Sequence, residues 1–274
     1  MAQTKDSVSS ITAPACLYVC TWILAACAAT ASRDMYVYMC ISLGSEIIHG
    51  EKVPENSMLY MASVQNNYVH TCGGFLVSED FVMTAAHCDD PNLTSVVLGT
   101  HNLKTVSDDM RYGVKRCKHP SYVNVSNGND IMLLKLSRKV QLNNIVQTIQ
   151  LPSHQINLNE NENCRVAGWG TNRSHGGVVA DLQMVDVPIM DLEKCQKEWD
   201  NMLPANVICA GGYGTDKGFC QGDSGGPLVC NGMAVGVVSF NRNYNCDYPN
   251  APNVYVNISK YLTWIKKILK EKNC

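Results

Sequence analysis

The hexapeptide Gly222-Asp223-Ser224-Gly225-Gly226-Pro227 sets one serine among three glycines. A serine hydroxyl is a poor nucleophile near neutral pH and needs an adjacent base. Glycines on either side let the backbone turn tightly and aim N–H groups at a developing oxyanion. A base is available upstream in Thr84-Ala85-Ala86-His87-Cys88, and a carboxylate to orient it in Asn129-Asp130-Ile131-Met132-Leu133-Leu134. The three motifs run in the chain order His, Asp, Ser and together supply nucleophile, base and orienting group. Such a set is built for attack on an acyl carbon.

These residues are far apart in sequence, so long-range pairing must bring them together. After residue 46 the chain reads as one unit without linkers, charge blocks or low-complexity segments. Short β-branched and apolar runs recur at 75–77, 95–98, 131–136, 185–189, 233–240 and 254–256, between clusters of Gly, Asn, Asp and Pro. That spacing predicts antiparallel barrels or a sandwich rather than alternating strands and helices. The one clear helix spans 259–272. Tyr261, Leu262, Ile265, Ile268 and Leu269 share a face, with Lys266, Lys267, Lys270 and Lys272 mostly elsewhere. It reads as a closing helix with a solvated outer face, whose lysines are also a candidate seat for an anionic polysaccharide.

Of 274 residues, 22 are Lys or Arg and 24 are Asp or Glu, a net charge of -2 that offers no basic face for nucleic acid. Fourteen cysteines are spread along the chain without the paired CxxC spacing of a zinc site. Disulfides, and hence a secreted or luminal protein, are the expectation. At the N-terminus no charge falls between Asp6 and Arg33, residues 17–29 are strongly apolar, and Ala29-Thr30-Ala31 offers a small-x-small cleavage site. A cleaved secretory signal is the leading reading. A single-pass anchor competes with it, because the uncharged run is long enough to span a bilayer. A mis-assigned first exon is the third reading, since 35–44 is a second apolar run.

With these motifs in place, residues 47 to about 267 resemble the chymotrypsin-like serine proteases of the trypsin superfamily. The likeness extends to Cys72-Gly73-Gly74 and to Cys164-Arg165-Val166-Ala167-Gly168-Trp169-Gly170. It implies an all-β fold of two six-stranded antiparallel barrels with a C-terminal helix and the active site between the barrels. On this reading residues 1–46 are a signal peptide and short activation propeptide, and 47–274 the protease domain. The resemblance casts His87 as general base, Asp130 as the group that fixes its tautomer, and Ser224 as nucleophile. The N–H groups of Gly222 and Ser224 become the oxyanion hole.

The same resemblance implies the pairs Cys72–Cys88, Cys164–Cys230, Cys195–Cys209 and Cys220–Cys246. Cys117 and Cys274 are left over, either paired together or with Cys117 bridging to another chain. Ile47-Ile48-His49-Gly50 resembles the mature N-terminus of the family. A cut after Glu46 would free the Ile47 amine to pair with Asp223, and His70 falls where family precursors hold that aspartate beforehand. The acidic Glu46, unlike Lys or Arg, points to the granzyme, chymase and mast-cell (duodenase-like) granule proteases.

The family's specificity pocket maps onto Gly218 at the floor, with Phe219, Gln221, Ser239, Phe240, Asn241 and Asn253 around it. With no charge at Gly218, cleavage after Arg or Lys should be poor, and medium-sized apolar or polar side chains are favoured. Thr100 after Leu98-Gly99 replaces the carboxylates of a calcium loop, so no calcium, other metal or cofactor is expected. Sequons occur at Asn92, Asn124, Asn172 and Asn257. Expected partners are protein or peptide substrates, protein protease inhibitors and an anionic proteoglycan, with no nucleic acid and a monomeric state. Two other classes compete with a secreted enzyme: a membrane-tethered protease, and an inactive relative acting as a binding module.

Overall fold

The computed structural model describes residues 47–171, 176–248 and 251–274. The signal, anchor and propeptide readings of 1–46 and the sequon at Asn172 lie outside them. The first barrel contains β2 (Met61–Asn66), β3 (Val69–Ser78), β4 (Phe81–Thr84), β5 (Leu93–Val97), β6 (Arg111–Lys118) and β7 (Met132–Leu136), after a short β1 (Glu51–Lys52). Its order is β2-β3-β4-β7-β6-β5, closed by β5 returning to β2, so no edge is left unpaired. β2 and β3 are joined by the Asn67-Tyr68 hairpin, with φ of 45° and 71°, the left-handed pair a two-residue type I′ turn requires. The Arg111 guanidinium stacks over the Tyr68 ring at 4.5 Å.

The second barrel contains β8 (Asn163–Gly168), β9 (Gln183–Met190), β10 (Val207–Ala210), β11 (Pro227–Cys230), β12 (Met233–Phe240) and β13 (Val254–Asn257). Its order is β9-β10-β13-β12-β11-β8, closed by β8 pairing with β9, while β1 adds to β9 from outside. All pairings between these strands are antiparallel, as the recurrent short runs predict.

Strands where the barrels meet do not alternate in burial. β7 reads Met132, Leu133, Leu134 and Leu136 all buried, and β12 is buried from Ala234 to Ser239. One core cluster accounts for this, running from Phe75, Phe81 and Leu133 of the first barrel to Val237 and Val256 of the second. It continues into α2 (Leu262–Glu271) through Ile265 and Ile268. A second helix, α1 (Leu192–Glu198), is capped by the Asp191 carboxylate, which accepts from Lys194 N.

The terminal helix starts three residues later than the pattern indicated. Asn257 caps a 3-10 turn at Ile258–Lys260, accepting from Ser259 N, and the α-helix begins only after Tyr261. Its faces are as expected, with Ile265 and Ile268 buried and Lys266, Lys267 and Lys270 exposed. Beyond it, Cys274 is bonded to Cys117 of β6, which ties this end of the chain to the first barrel. The other four bridges are Cys72–Cys88, Cys164–Cys230, Cys195–Cys209 and Cys220–Cys246. Among the described residues no helix is long and apolar enough to cross a membrane.

Candidate active site

β4 delivers the chain to a 3-10 turn, Ala86–Cys88, whose middle residue is His87. The Cys72–Cys88 bridge holds this turn against β3. Asp130 lies just before β7 and is 1% exposed, while His87 keeps 25% of its side chain open. Both carboxylate oxygens serve the histidine: Nδ1 lies 2.7 Å from Oδ2, and the His87 backbone N–H donates to Oδ1 at 2.8 Å. An ionised carboxylate only accepts, so Nδ1 carries the ring proton and Nε2 is left with its lone pair. The Ser239 hydroxyl donates to Oδ2 at 2.5 Å. Burial alone pushes the Asp130 carboxyl up. The bond and charge of His87 and the Ser239 hydroxyl outweigh it and hold the group below its ordinary value. The loop is braced from α2's side, where Tyr261 Oη donates to Asn129 Oδ1 at 3.3 Å.

Ser224 comes to the same place from the second barrel. Its carbonyl accepts from Gly73 N at 2.8 Å, and Gly225 N donates to Val238 O at 2.8 Å. Gly225 has φ +82°, and a Cβ there would lie 2.1 Å from Thr84 Oγ1, so only glycine lets this loop close on the strand leading to His87. Gly222 is similarly constrained, with φ +96° and Gly170 Cα 2.9 Å from where its Cβ would be. The N–H groups of Gly222 and Ser224 have no acceptor among the described residues.

Asp223 between them is fully buried. Its two oxygens accept from Gly170 N and Cys220 N, each at 2.8 Å, and burial pushes its carboxyl up to about 7. Ile47 is completely buried in the second-barrel core, and Ile48 N donates to Gly218 O at 3.1 Å. His70 holds the Gly222 carbonyl rather than the aspartate. Its Nε2 donates to Gly222 O at 3.0 Å, and Nδ1 accepts from Ser63 Oγ at 2.8 Å. Burial lowers this imidazole to about 4, so it is neutral.

Of the residues expected to line the pocket, Gly218, Phe219, Asn241 and Asn253 meet a side chain the sequence did not single out. Tyr248 packs beside Ile48 and the Cys220–Cys246 bridge. Its ring tip lies over Gly218, where a Cβ would fall 2.5 Å from Tyr248 Cε2 and 2.3 Å from Asn253 Oδ1. The Tyr248 hydroxyl donates to Phe219 O at 2.5 Å and accepts from Asn253 Nδ2 at 2.7 Å and Asn241 Nδ2 at 3.4 Å. Phe219 turns its ring into the core, edge-on to Tyr255 at 5.2 Å. Phe240 stands edge-on to Trp199 at 5.2 Å, and Gln221 Nε2 donates to Tyr244 O at 2.8 Å.

Residues 47–265 match the family described as Trypsin. The chain belongs to the trypsin family of serine proteases. Granzyme-like protein 2 of Rattus norvegicus is 40% identical over 232 residues, which cover 83% of this chain and 91% of that relative. Duodenase-1 of Bos taurus is also 40% identical, over 82% of this chain and 90% of its own length. Among solved structures, neuropsin, a serine protease expressed in the limbic system of mouse brain, superposes with a TM-score of 0.74 at 32% identity. It covers 81% of this chain and 100% of its own.

This trypsin-family protein is therefore a serine endopeptidase. Two close groupings of potential metal ligands, Cys72-His87-Cys88 and Glu162-Cys164-Cys230, draw their sulfurs from disulfides, which leaves no thiolate to bind an ion. Of the sequons, Asn92 and Asn124 are exposed. Asn257 is half-buried and its Oδ1 accepts from its own sequon hydroxyl, Ser259 Oγ, at 2.7 Å. Trp199 and Tyr248 had no signal in the sequence beyond being aromatics in loop-like stretches.

Proposed function

We propose that the chain is a secreted or granule endopeptidase that cleaves peptide bonds through an acyl-enzyme. Ser224 attacks, His87 takes its proton and returns it to the leaving amine, and Asp130 holds the imidazole and steadies its charged form. The unspent N–H groups of Gly222 and Ser224 receive the oxyanion. The observation that carries this reading is the double hydrogen bond from His87 to a buried, ionised Asp130, which fixes the ring with Nε2 free.

Activation is a cut after Glu46. The freed Ile47 ammonium supplies the partner that the buried Asp223 carboxylate lacks, and the ion pair stabilises the arrangement of Gly222. The absence of a carboxylate among Gly218, Asn241 and Asn253 supports non-tryptic specificity. The exposed Lys266, Lys267 and Lys270 support binding to an anionic proteoglycan. Five disulfides suit an oxidising compartment, and exposure favours glycans at Asn92 and Asn124 over Asn257.

The test is a fluorophosphonate probe applied to the chain cleaved to begin at Ile47, with a peptide-library digest in parallel. Labelling mapped to Ser224 and lost in His87→Ala is expected. Labelling elsewhere, or a library cut mainly after Arg and Lys, would contradict the assignment.

A further inference from the structure

We infer that Tyr248 closes the primary specificity pocket part-way up, so that the enzyme accepts only short, uncharged side chains at the residue before the cut. This inference rests on the serine-protease reading of Ser224 given above. Gly218 bears no side chain, and from sequence that leaves an open floor. In the structure the vacated space is taken. The Tyr248 ring tip lies so close that a Gly218 Cβ would fall 2.5 Å from Cε2 and 2.9 Å from Cζ. Its hydroxyl stands between Asn241 and Asn253, the two wall residues, and bonds to both.

The plug is held at both ends. Behind it the ring rests on Ile48 and the Cys220–Cys246 bridge. At its tip the single proton goes to Phe219 O, and the oxygen accepts from the two asparagines. Swinging the ring outward would strand the Phe219 carbonyl and leave the fully buried Asn253 side chain without its partner. Asn253 Oδ1 already has no hydrogen-bond donor, so this residue depends on Tyr248 for its side-chain pairing. Burial also pushes the phenol up to about 12, so the plug is neutral at any working pH.

The chemistry of the accepted side chain follows. A lysine or arginine head group would meet a hydroxyl whose proton is already given and no carboxylate. A leucine or phenylalanine would need the volume the ring fills. An alanine-, serine- or valine-sized group fits above it. One methylene too many in a pocket of fixed size costs about 10- to 200-fold in kcat/KM, so two or more carbons too many should cost at least about 100-fold.

The experiment measures kcat/KM for succinyl-Ala-Ala-Pro-X p-nitroanilides with X as Ala, Val, Leu, Phe and Lys. It compares the Ile47-initiated enzyme with Tyr248→Ala and Tyr248→Phe. Active-site concentration comes from fluorophosphonate labelling of Ser224, which does not need the primary pocket. The wild type should cut after Ala or Val and disfavour Leu, Phe and Lys at least about 100-fold. Tyr248→Ala should raise Leu and Phe by about that factor with little change for Ala, and Tyr248→Phe should keep the wild-type order. An enzyme that labels yet prefers Phe, Leu or Lys overturns the plug without any variant. So does a Phe-to-Ala ratio unmoved in a labelled Tyr248→Ala. Absence of labelling in the wild type removes the serine-protease reading, and the plug falls with it.

Discussion

Replacing both Cys117 and Cys274 with alanine removes the bridge that fastens the end of α2 to β6. The cost is set by how much freedom the unfolded chain regains. The two cysteines are 157 residues apart, but other bridges shorten that loop. The path from 117 to 164, across to 230, back to 220, across to 246 and on to 274 covers about 85 residues. In the chain-entropy treatment a closed loop of that size restricts the unfolded state by about 4.5 kcal/mol at 25 °C. For a domain of this size that corresponds to a melting point lower by about 10 °C or more. Native contacts change little, because Cys117 is already packed and 4% exposed. The measurement is calorimetry of wild type and double variant, with the bridge in the wild type confirmed by mass of the linked peptides. Melting points within about 2 °C of each other would refute the reasoning, since ~85 residues of loop cannot be released at so small an effect.

Four further outcomes are expected. Ser224→Ala and His87→Ala should each lower turnover by about 10⁶-fold, and the double variant should be little worse, because the two act as a unit; additive losses would remove the pairing. Ser239→Ala takes away a hydroxyl bond to a buried carboxylate. It should lower kcat by about 10- to 100-fold with KM nearly unchanged, and steady-state kinetics equal to wild type would deny Ser239 that role. His70 is buried with its imidazole lowered to about 4, below its ordinary 6.5, so the unfolded chain takes up the proton first as pH falls. The share of stability that His70 contributes should thus decline by about 3 kcal/mol from pH 7 down to pH 4, read as the change over that range in the difference between the denaturant midpoints of wild type and His70→Gln. Protein beginning at Ser45 should fold yet be nearly inactive beside protein beginning at Ile47, and Asp223→Asn should resemble the former; equal rates with N-termini checked by mass would dismiss Ile47 as the activation residue.

The reactive groups were legible because each sits in a motif whose neighbours are also required. Gly225 must lack a Cβ to pass Thr84, Asp130 must precede a buried strand, and Cys88 must reach Cys72. The strand runs were legible for a similar reason, since 131–136 and 233–240 are apolar but for Lys135 and Ser239, where the barrels meet. The primary pocket was not. Its shape depends on where the Asp247-Tyr248 loop falls once Cys246 is bonded to Cys220, and no local pattern encodes that. A glycine at 218 announces empty space but not what enters it. The partner of His70 was missed likewise, because a carbonyl such as that of Gly222 carries no sequence signature. The terminal helix lost its first turn to Asn257, whose side chain offers Ser259 N a local bond that competes with the helix ladder.

The bond from Tyr261 to Asn129 spans 132 residues and reaches the loop that carries Asp130. Nearby, the His119 ring stacks edge-on against both Tyr261 and Trp264, at 5.3 and 5.1 Å, and His119 N donates to Ile131 O. The aspartate's loop is thus finished by residues made long after it. Each barrel has its own hairpins to fold on during synthesis, but this buttress exists only once 258–271 have emerged and docked. The brace on the aspartate's loop is therefore a late arrival in the life of the chain. A nascent or truncated copy lacking the helix keeps the bonds of His87 and Ser239 to Asp130 but not the brace on the neighbouring Asn129.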